Sequence, residues 1–234
     1  MSQKWATWLS VDGDLRFASH RDMMRSIERL AVRAGVSLRY TQGFNPHPIL
    51  SLVPPRPVGV ASRDDLLVMM LDEPTDASRI VSGLNAAKPP EGLTFIGAAE
   101  LPAKATPQPR KARYELPLEG TRIKTVAARL SQLEATASWP VERMVKVGRR
   151  RRQRDESIVT KTVDLRLYVT DLRITQRSLC FALLSDKAGG ARPGEVLGLC
   201  GLDERTDLAV LVRVAVDYCL NDSKMDFRTS SGAA

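Results

Sequence analysis

The sequence predicts an α+β protein made of two tandem ferredoxin-like (split βαβ) halves, and three observations carry that reading. Apolar patterns of period two and period 3.6 follow one another between Trp5 and Leu101 in the order strand, helix, strand, strand, helix, strand. The stretch PAKATPQPRK at 102–111 holds three prolines and three cations, has nothing to bury, and reads as a linker. Beyond it a comparable series of strands and helices begins again. The expected organisation is therefore an N-terminal domain over 1–101, the linker, a C-terminal domain over 112–220 and a polar, frayed tail over 221–234.

In the first half, KWATWLSV alternates as a strand and DGDLRF turns the chain. Ser19 followed by Asp22 is a Ser-x-x-acid opening, in which a side-chain oxygen meets free N–H groups and a carboxylate sits at the positive end of the dipole. The helix it opens repeats Met23, Met24, Ile27, Leu30, Ala31 and Ala34 at helical spacing, and Gly35 supplies its stop. Arg21, Arg25, Arg29 and Arg33 recur every fourth residue on another face, with Glu28 as the interruption. After the strand-like VSLRY comes TQGFNPHPILS, where Gly43, Pro46 and Pro48 forbid regular structure and His47 is held between two prolines. A strand over Ile49–Val53, the turn PVGVASRDD with its acidic pair, and the apolar LLVMMLDE follow. TDASRIVSGLNAA is a helix capped by Thr75 or Asp76, and LTFIGAAEL closes the half as a strand.

In the second half, RYELPLE, VERMVKVG, TVDLRLYVTDLRI, SLCFALL and DLAVLVRVAVDYCL read as strands. TRIKTVAARLSQLEA and ARPGEVLGLCG, the latter opened by Pro193, read as helices. Between two of these strands stand Arg149, Arg150, Arg151, Arg152 and Arg154, five arginines in six positions. Such a run repels itself and belongs in solvent, either as a plain solvated loop or as a contact to a phosphate backbone whose counterions it displaces.

Composition narrows the function classes. With 43% hydrophobic and 26% charged residues in 234, the chain has what a core-forming soluble protein needs. It holds no apolar run of about 18 residues, and MSQKWATWLSVDGD lacks the basic and apolar regions of a signal peptide, so the expectation is the cytoplasm without membrane association. Cys180, Cys200 and Cys219 match neither a disulfide framework nor a metal motif, and no nucleotide-cradling glycine motif is present. The net charge of +8 is uneven: residues 1–100 balance eleven Lys+Arg against eleven Asp+Glu, whereas 101–234 carry twenty-four against sixteen. That is the footprint of a polyanion binder.

The segments FASHRDMMRSIERLAVRAGVSLRYTQGFNPHPILSL and PVGVASRDD, and more weakly VDLRLYV and ARPGEVLG, make the chain resemble the radical-SAM-linked conserved hypothetical proteins. That family is a bacterial domain of unknown function found beside or fused to cobalamin-binding radical SAM proteins. The resemblance implies such a protein as partner. Because this chain has no clustered cysteine triad, the iron–sulfur cluster, SAM and cobalamin are expected on the partner, with no cofactor and no metal here.

The signature segments that the resemblance marks, together with the arginine face, give a binding set of Ser19, His20, Asp22, Arg25, Arg29, Gln42, Gly43, Phe44, Asn45, Pro46 and His47. His20, His47 and Asp22 are the candidates for acid–base work; the alternative is that His20 packs the first turn and His47 orders its loop. Phe17, Tyr40 and Phe44 flank the signature, where they either stack on a ligand ring or seal the core. The leading reading is an accessory that binds RNA or presents substrate to the radical SAM enzyme and has no activity alone. The alternatives are a metal-independent endoribonuclease of RAMP-like architecture, by fold analogy, and a protein-only docking subunit.

Overall fold

The computed structural model describes residues 2–146, 158–185 and 190–221. The chain forms two compact units, Met1–Glu115 with Ala209–Ala234, and Leu116–Leu208.

In the first unit the strands are β1 (Gln3–Val11), β2 (Leu50–Val53), β3 (Ala61–Leu71), β4 (Leu93–Leu101), β5 (Pro107–Pro117) and the last strand of the chain, β10 (Val212–Leu220). Helices α1 (His20–Arg33) and α2 (Ala77–Ala86) lie between β1 and β2 and between β3 and β4. The strands stand in the order β4-β1-β3-β10-β5, with β2 paired to β3. Every pairing is antiparallel except β3 with β10, which runs parallel through Ala61 and Ser62. The two-residue period of β3 decides the layers: Leu67, Met69 and Leu71 join one core with Trp5 and Leu9, with Met23, Ile27, Leu30 and Ala31 of α1, and with Ile80 and Leu84 of α2. Both helices therefore cover the same face of the sheet.

The local chemistry of α1 matches its sequence. Ser19 takes an extended conformation and its Oγ accepts from Asp22 N at 3.2 Å, while the same hydroxyl donates to Asp22 Oδ2 at 2.7 Å. Gly35, at φ +68°, ends the helix in the left-handed region that a side chain disfavours. For α2, Asp76 rather than Thr75 is the cap, its carboxylate accepting from Arg79 N at 2.9 Å.

The linker expectation needs correction, because Pro107–Lys111 are part of β5. Pro107 is buried opposite Leu220, and Pro109 falls at a register shift against β10, where its missing N–H is tolerated. Ala105 is also buried, and its carbonyl accepts from Lys4 Nζ at 2.6 Å. A composition of prolines and cations concealed these contacts.

The second unit contains α3 (Thr121–Glu134), β6 (Pro140–Lys146), β7 (Ile158–Asp164), β8 (Val169–Ile174), β9 (Ser178–Leu184) and α4 (Pro193–Leu199). The single strand expected over TVDLRLYVTDLRI is two, broken where Asp164 Oδ1 accepts from Trp139 N and Arg166 N at 2.8 and 3.0 Å and turns the backbone. Strands β6 and β7 pair with each other as a separate antiparallel ribbon, and β8 pairs with β9. Arg143 of β6 anchors the ribbon by donating to both oxygens of Glu195 at 2.6 Å and to Gly190 O at 2.6 Å. Cys200 and Cys219 are buried and Cys180 is half-buried, and none of the three is in a disulfide.

Ile27 is fully buried within the first core, so Ile27→Ala should destabilise the chain by about 2–5 kcal/mol. A urea titration followed by circular dichroism measures this, and a midpoint within error of the parent's would show that α1 does not pack as described.

Candidate functional site

Helix α1 presents two faces of different chemistry. While Met23, Ile27, Leu30 and Ala31 enter the core, Arg21, Arg25, Arg29 and Arg33 are all exposed. These four are not equivalent. Arg33 donates from Nε to Ala87 O at 3.3 Å and from Nη2 to Lys88 O at 3.1 Å, so it closes the free carbonyl end of α2 and is a structural residue. Arg25 stands 3.9 Å from Asp22 with both side chains more than half exposed, a pairing worth at most about 1 kcal/mol. Arg21 and Arg29 make no hydrogen bond or ion pair with a described residue. Arg25 and Arg29 can thus exchange water for an anion with little to give up.

The signature loop rises beside this face. Its root is closed by a bridge between Tyr40 and Pro48, by Thr41 N donating to His47 O at 2.8 Å, and by His47 N donating to Thr41 Oγ1 at 3.0 Å. Residues 41–47 are exposed throughout, with Gly43 at φ +147°. Tyr40 joins Arg25, Glu28, Arg29, Val32 and Arg33 in lining a groove of about 580 Å³. The aromatics do not seal the core: Phe44 is wholly exposed, Phe17 is 49% exposed with the Arg16 guanidinium 5.1 Å from its ring centroid, and Tyr40 is 39% exposed.

The two histidines take separate places. His20 is the first residue of α1, a helix of fourteen residues and so about 20 Å long. His47 sits at the loop root, whose Tyr40 borders the later turns of that helix. Both imidazoles are exposed, and neither bonds to the other or to Asp22, whose carboxylate is occupied by Ser19 and Arg25. Gln42, Asn45 and Pro46 are likewise exposed. Among the described residues no three His, Cys, Asp or Glu side chains gather as metal ligands do. Arg149, Arg150, Arg151, Arg152 and Arg154 lie outside the described residues, between the ends of β6 and β7.

The structure also reveals a buried charged cluster that sequence patterning missed, and it is the second signature segment that builds it. Asp65 of SRDD accepts from Arg213 Nη2 at 2.6 Å, stands 3.7 Å from Arg56 Nε, and is hydrogen-bonded by the Ser62 hydroxyl. Side-chain exposure is 5% for Asp65, 6% for Arg56 and 1% for Arg213. Arg213 Nη2 also donates to Pro54 O at 3.2 Å, and Arg56 Nη1 donates to Arg16 O at 2.7 Å and to Val60 O. Asp64 accepts from Val216 N at 2.9 Å, and Tyr218 donates to Val53 O at 2.8 Å. Burial is the largest influence on Arg213 and works against its charge, but Asp65, Tyr114 and Tyr218 together outweigh it and the guanidinium is held above its ordinary pKa; for Arg56, farther from the same carboxylate, burial prevails and the pKa is lowered. The signal available in the sequence was an arginine inside the apolar run VLVRVAV, which demands a buried partner.

The model of a family described as an uncharacterized protein conserved in bacteria, DUF2344, matches residues 4–193. The chain belongs to that family. No curated protein matches it. Among solved structures, an unknown protein from Galdieria sulphuraria aligns at 9% identity over 79% of this chain and 84% of its own, with a TM-score of 0.25.

Two expectations follow from the buried groups. Removing one partner of the central pair, by Asp65→Leu or Arg213→Met, should cost about 3–5 kcal/mol, and the double replacement should cost less than the sum. Urea midpoints of the four proteins test this, and simple additivity would deny the pair. Separately, burial raises the pKa of Tyr114 and Tyr218 against the opposing pull of Arg213, and pushes Cys200 up to about 12 from 9.0. Each keeps its proton in the folded chain after the unfolded chain has lost it, so its stabilisation is complete below pH about 9 and falls as pH rises. The urea midpoint should therefore drop between pH about 9 and 11, and less steeply in Cys200→Ala; a flat profile in the parent would contradict the burial.

Proposed function

We propose that this chain is a non-catalytic accessory protein that holds RNA, through the arginine face of α1 and the signature loop, for a cobalamin-binding radical SAM enzyme. The observation that carries the reading is the joining of Arg25 and Arg29 to Tyr40 in one groove, beside a loop whose Phe44 is wholly exposed. Cations that follow a phosphate backbone, set next to rings on which bases stack, are what single-stranded nucleic-acid binding requires. The excess of cations beyond residue 100, including the Arg149–Arg154 run, adds a sequence-independent attraction. The partner, and the iron–sulfur cluster, SAM and cobalamin it carries, rest on the sequence resemblance. Free imidazoles at His20 and His47 suit contact with RNA or partner better than a preassembled acid–base pair.

The scaffold belongs to the same proposal. The order β4-β1-β3-β2 with both helices on one face is what supports a ferredoxin-like first half, and the series from β5 through α3, β8, β9 and α4 to β10, with the β6–β7 ribbon inserted, supports a second.

Filter binding of single-stranded RNA across a salt series tests the reading. Replacing Arg25 and Arg29 by Gln should lower the log–log salt slope by up to about 0.7 for each lost phosphate contact, and Phe44→Ala should cost about 1–3 kcal/mol with the slope retained. Melting temperatures should stay at the parent value. An unchanged slope in the double variant removes α1 from the interface, and cleaved RNA product would turn the reading toward a ribonuclease.

A further inference from the structure

A second cavity in the first unit, of about 550 Å³, is within the range of small-molecule sites, about 300–1,000 Å³, and takes no part in the RNA reading. Thr41 and Pro48 of the loop root reach it, so the loop borders both spaces. Its apolar lining is aliphatic: Ile49, Leu50 and Val53 come from β2 and its approach, Val68 and Met70 from β3, and Pro107 from β5. Among the described residues no aromatic ring and no carboxylate lines it, whereas two cations do, Lys4 and Arg39. Among the described residues Lys4 uses one donor, on Ala105 O at 2.6 Å, and keeps two; Arg39 donates from Nη1 to Ser2 Oγ at 2.6 Å and has its Nε 3.9 Å from the Asp72 carboxylate.

A neutral apolar guest would strip water from these two cations without replacing it, and a cationic guest would be repelled. A flat aromatic guest would find no ring to stack on, while methionine and aliphatic walls adapt to a flexible chain. We propose that this cavity binds a small organic anion with an aliphatic body, its head group held by Lys4 and Arg39 and its chain lying on Ile49, Val68 and Met70. A carboxylate and a phosphate head share the chemistry that these cations recognise, through charge-assisted hydrogen bonds.

Isothermal titration of the full chain with octanoate, octyl phosphate, octanol and octylammonium decides the matter. One of the two anions should saturate a single site, the tighter one naming the head group, with octanol weaker by about tenfold or more and octylammonium not bound. Lys4→Gln and Arg39→Gln should each weaken the anion by about tenfold while leaving octanol unchanged. Met70→Trp should fill the cavity and abolish binding; Ser51→Trp, at an exposed position on the same lining, gives the same test should Met70→Trp fail to fold. Octanol binding as tightly as the anions, no saturable anion binding, indifference to both charge variants, or undiminished binding in a folded tryptophan variant would each overturn the proposal. All four ligands lack a base, so failure here leaves the RNA reading standing, and a lost RNA salt slope leaves this one.

Discussion

Asp65 takes two guanidinium groups out of water, and much of the first unit is arranged so that it can. A carboxylate on β3, an arginine on β10 and another on the approach to β3 meet where each is almost completely buried. Charges so placed are tolerated when most of their donors have acceptors, and the carbonyls of Arg16, Pro54 and Val60 supply three of these, while Arg213 Nε meets none among the described residues. The segment between β2 and β3 is thereby tied at both ends. The pair joins β10 to β3 at one defined point, Arg213 to Asp65.

With the sheet registered, α1 is free to differ on its two sides. Its apolar stripe is used up in the core, and its capping uses Ser19 and Asp22, the Ser-x-x-acid opening of the sequence. What remains exposed is cationic, and of the four arginines one is taken by the carbonyl end of α2. The polar residues of the signature thus divide into those that build the helix and those that face solvent. The loop repeats the division, with Thr41 and the His47 backbone closing its root while Phe44 and Asn45 project. Rigidity at the root is what allows exposed side chains to be presented in a fixed place.

Local signals were strong where a single element carried its own instructions. The caps and stop of α1, the apolar run LLVMML and the capped start of α2 each depend on neighbours within a few residues, so the sequence by itself determined these stretches, the two-faced character of α1, and the exposed, non-regular nature of the loop, but not that ASRDD, which reads as a turn, is the first part of β3. It did not determine that Pro107–Lys111 pair with β10, that TVDLRLYVTDLRI breaks at Asp164, or that Arg213 meets Asp65 across 148 positions. Nor did it show that His20 and His47 occupy different parts of the helix–loop unit, or that the loop root borders an aliphatic cavity with two cations. These are contacts between distant segments, whose identity depends on which backbones the sheet brings side by side. A proline in a strand, an arginine in a core and a lysine at a cavity wall all look misplaced in a linear chain. Only the tertiary structure supplied the partners, a β10 register that spares a proline its N–H, a carboxylate for a buried guanidinium and a fold that puts β1 beside the loop root, that make those residues physically reasonable.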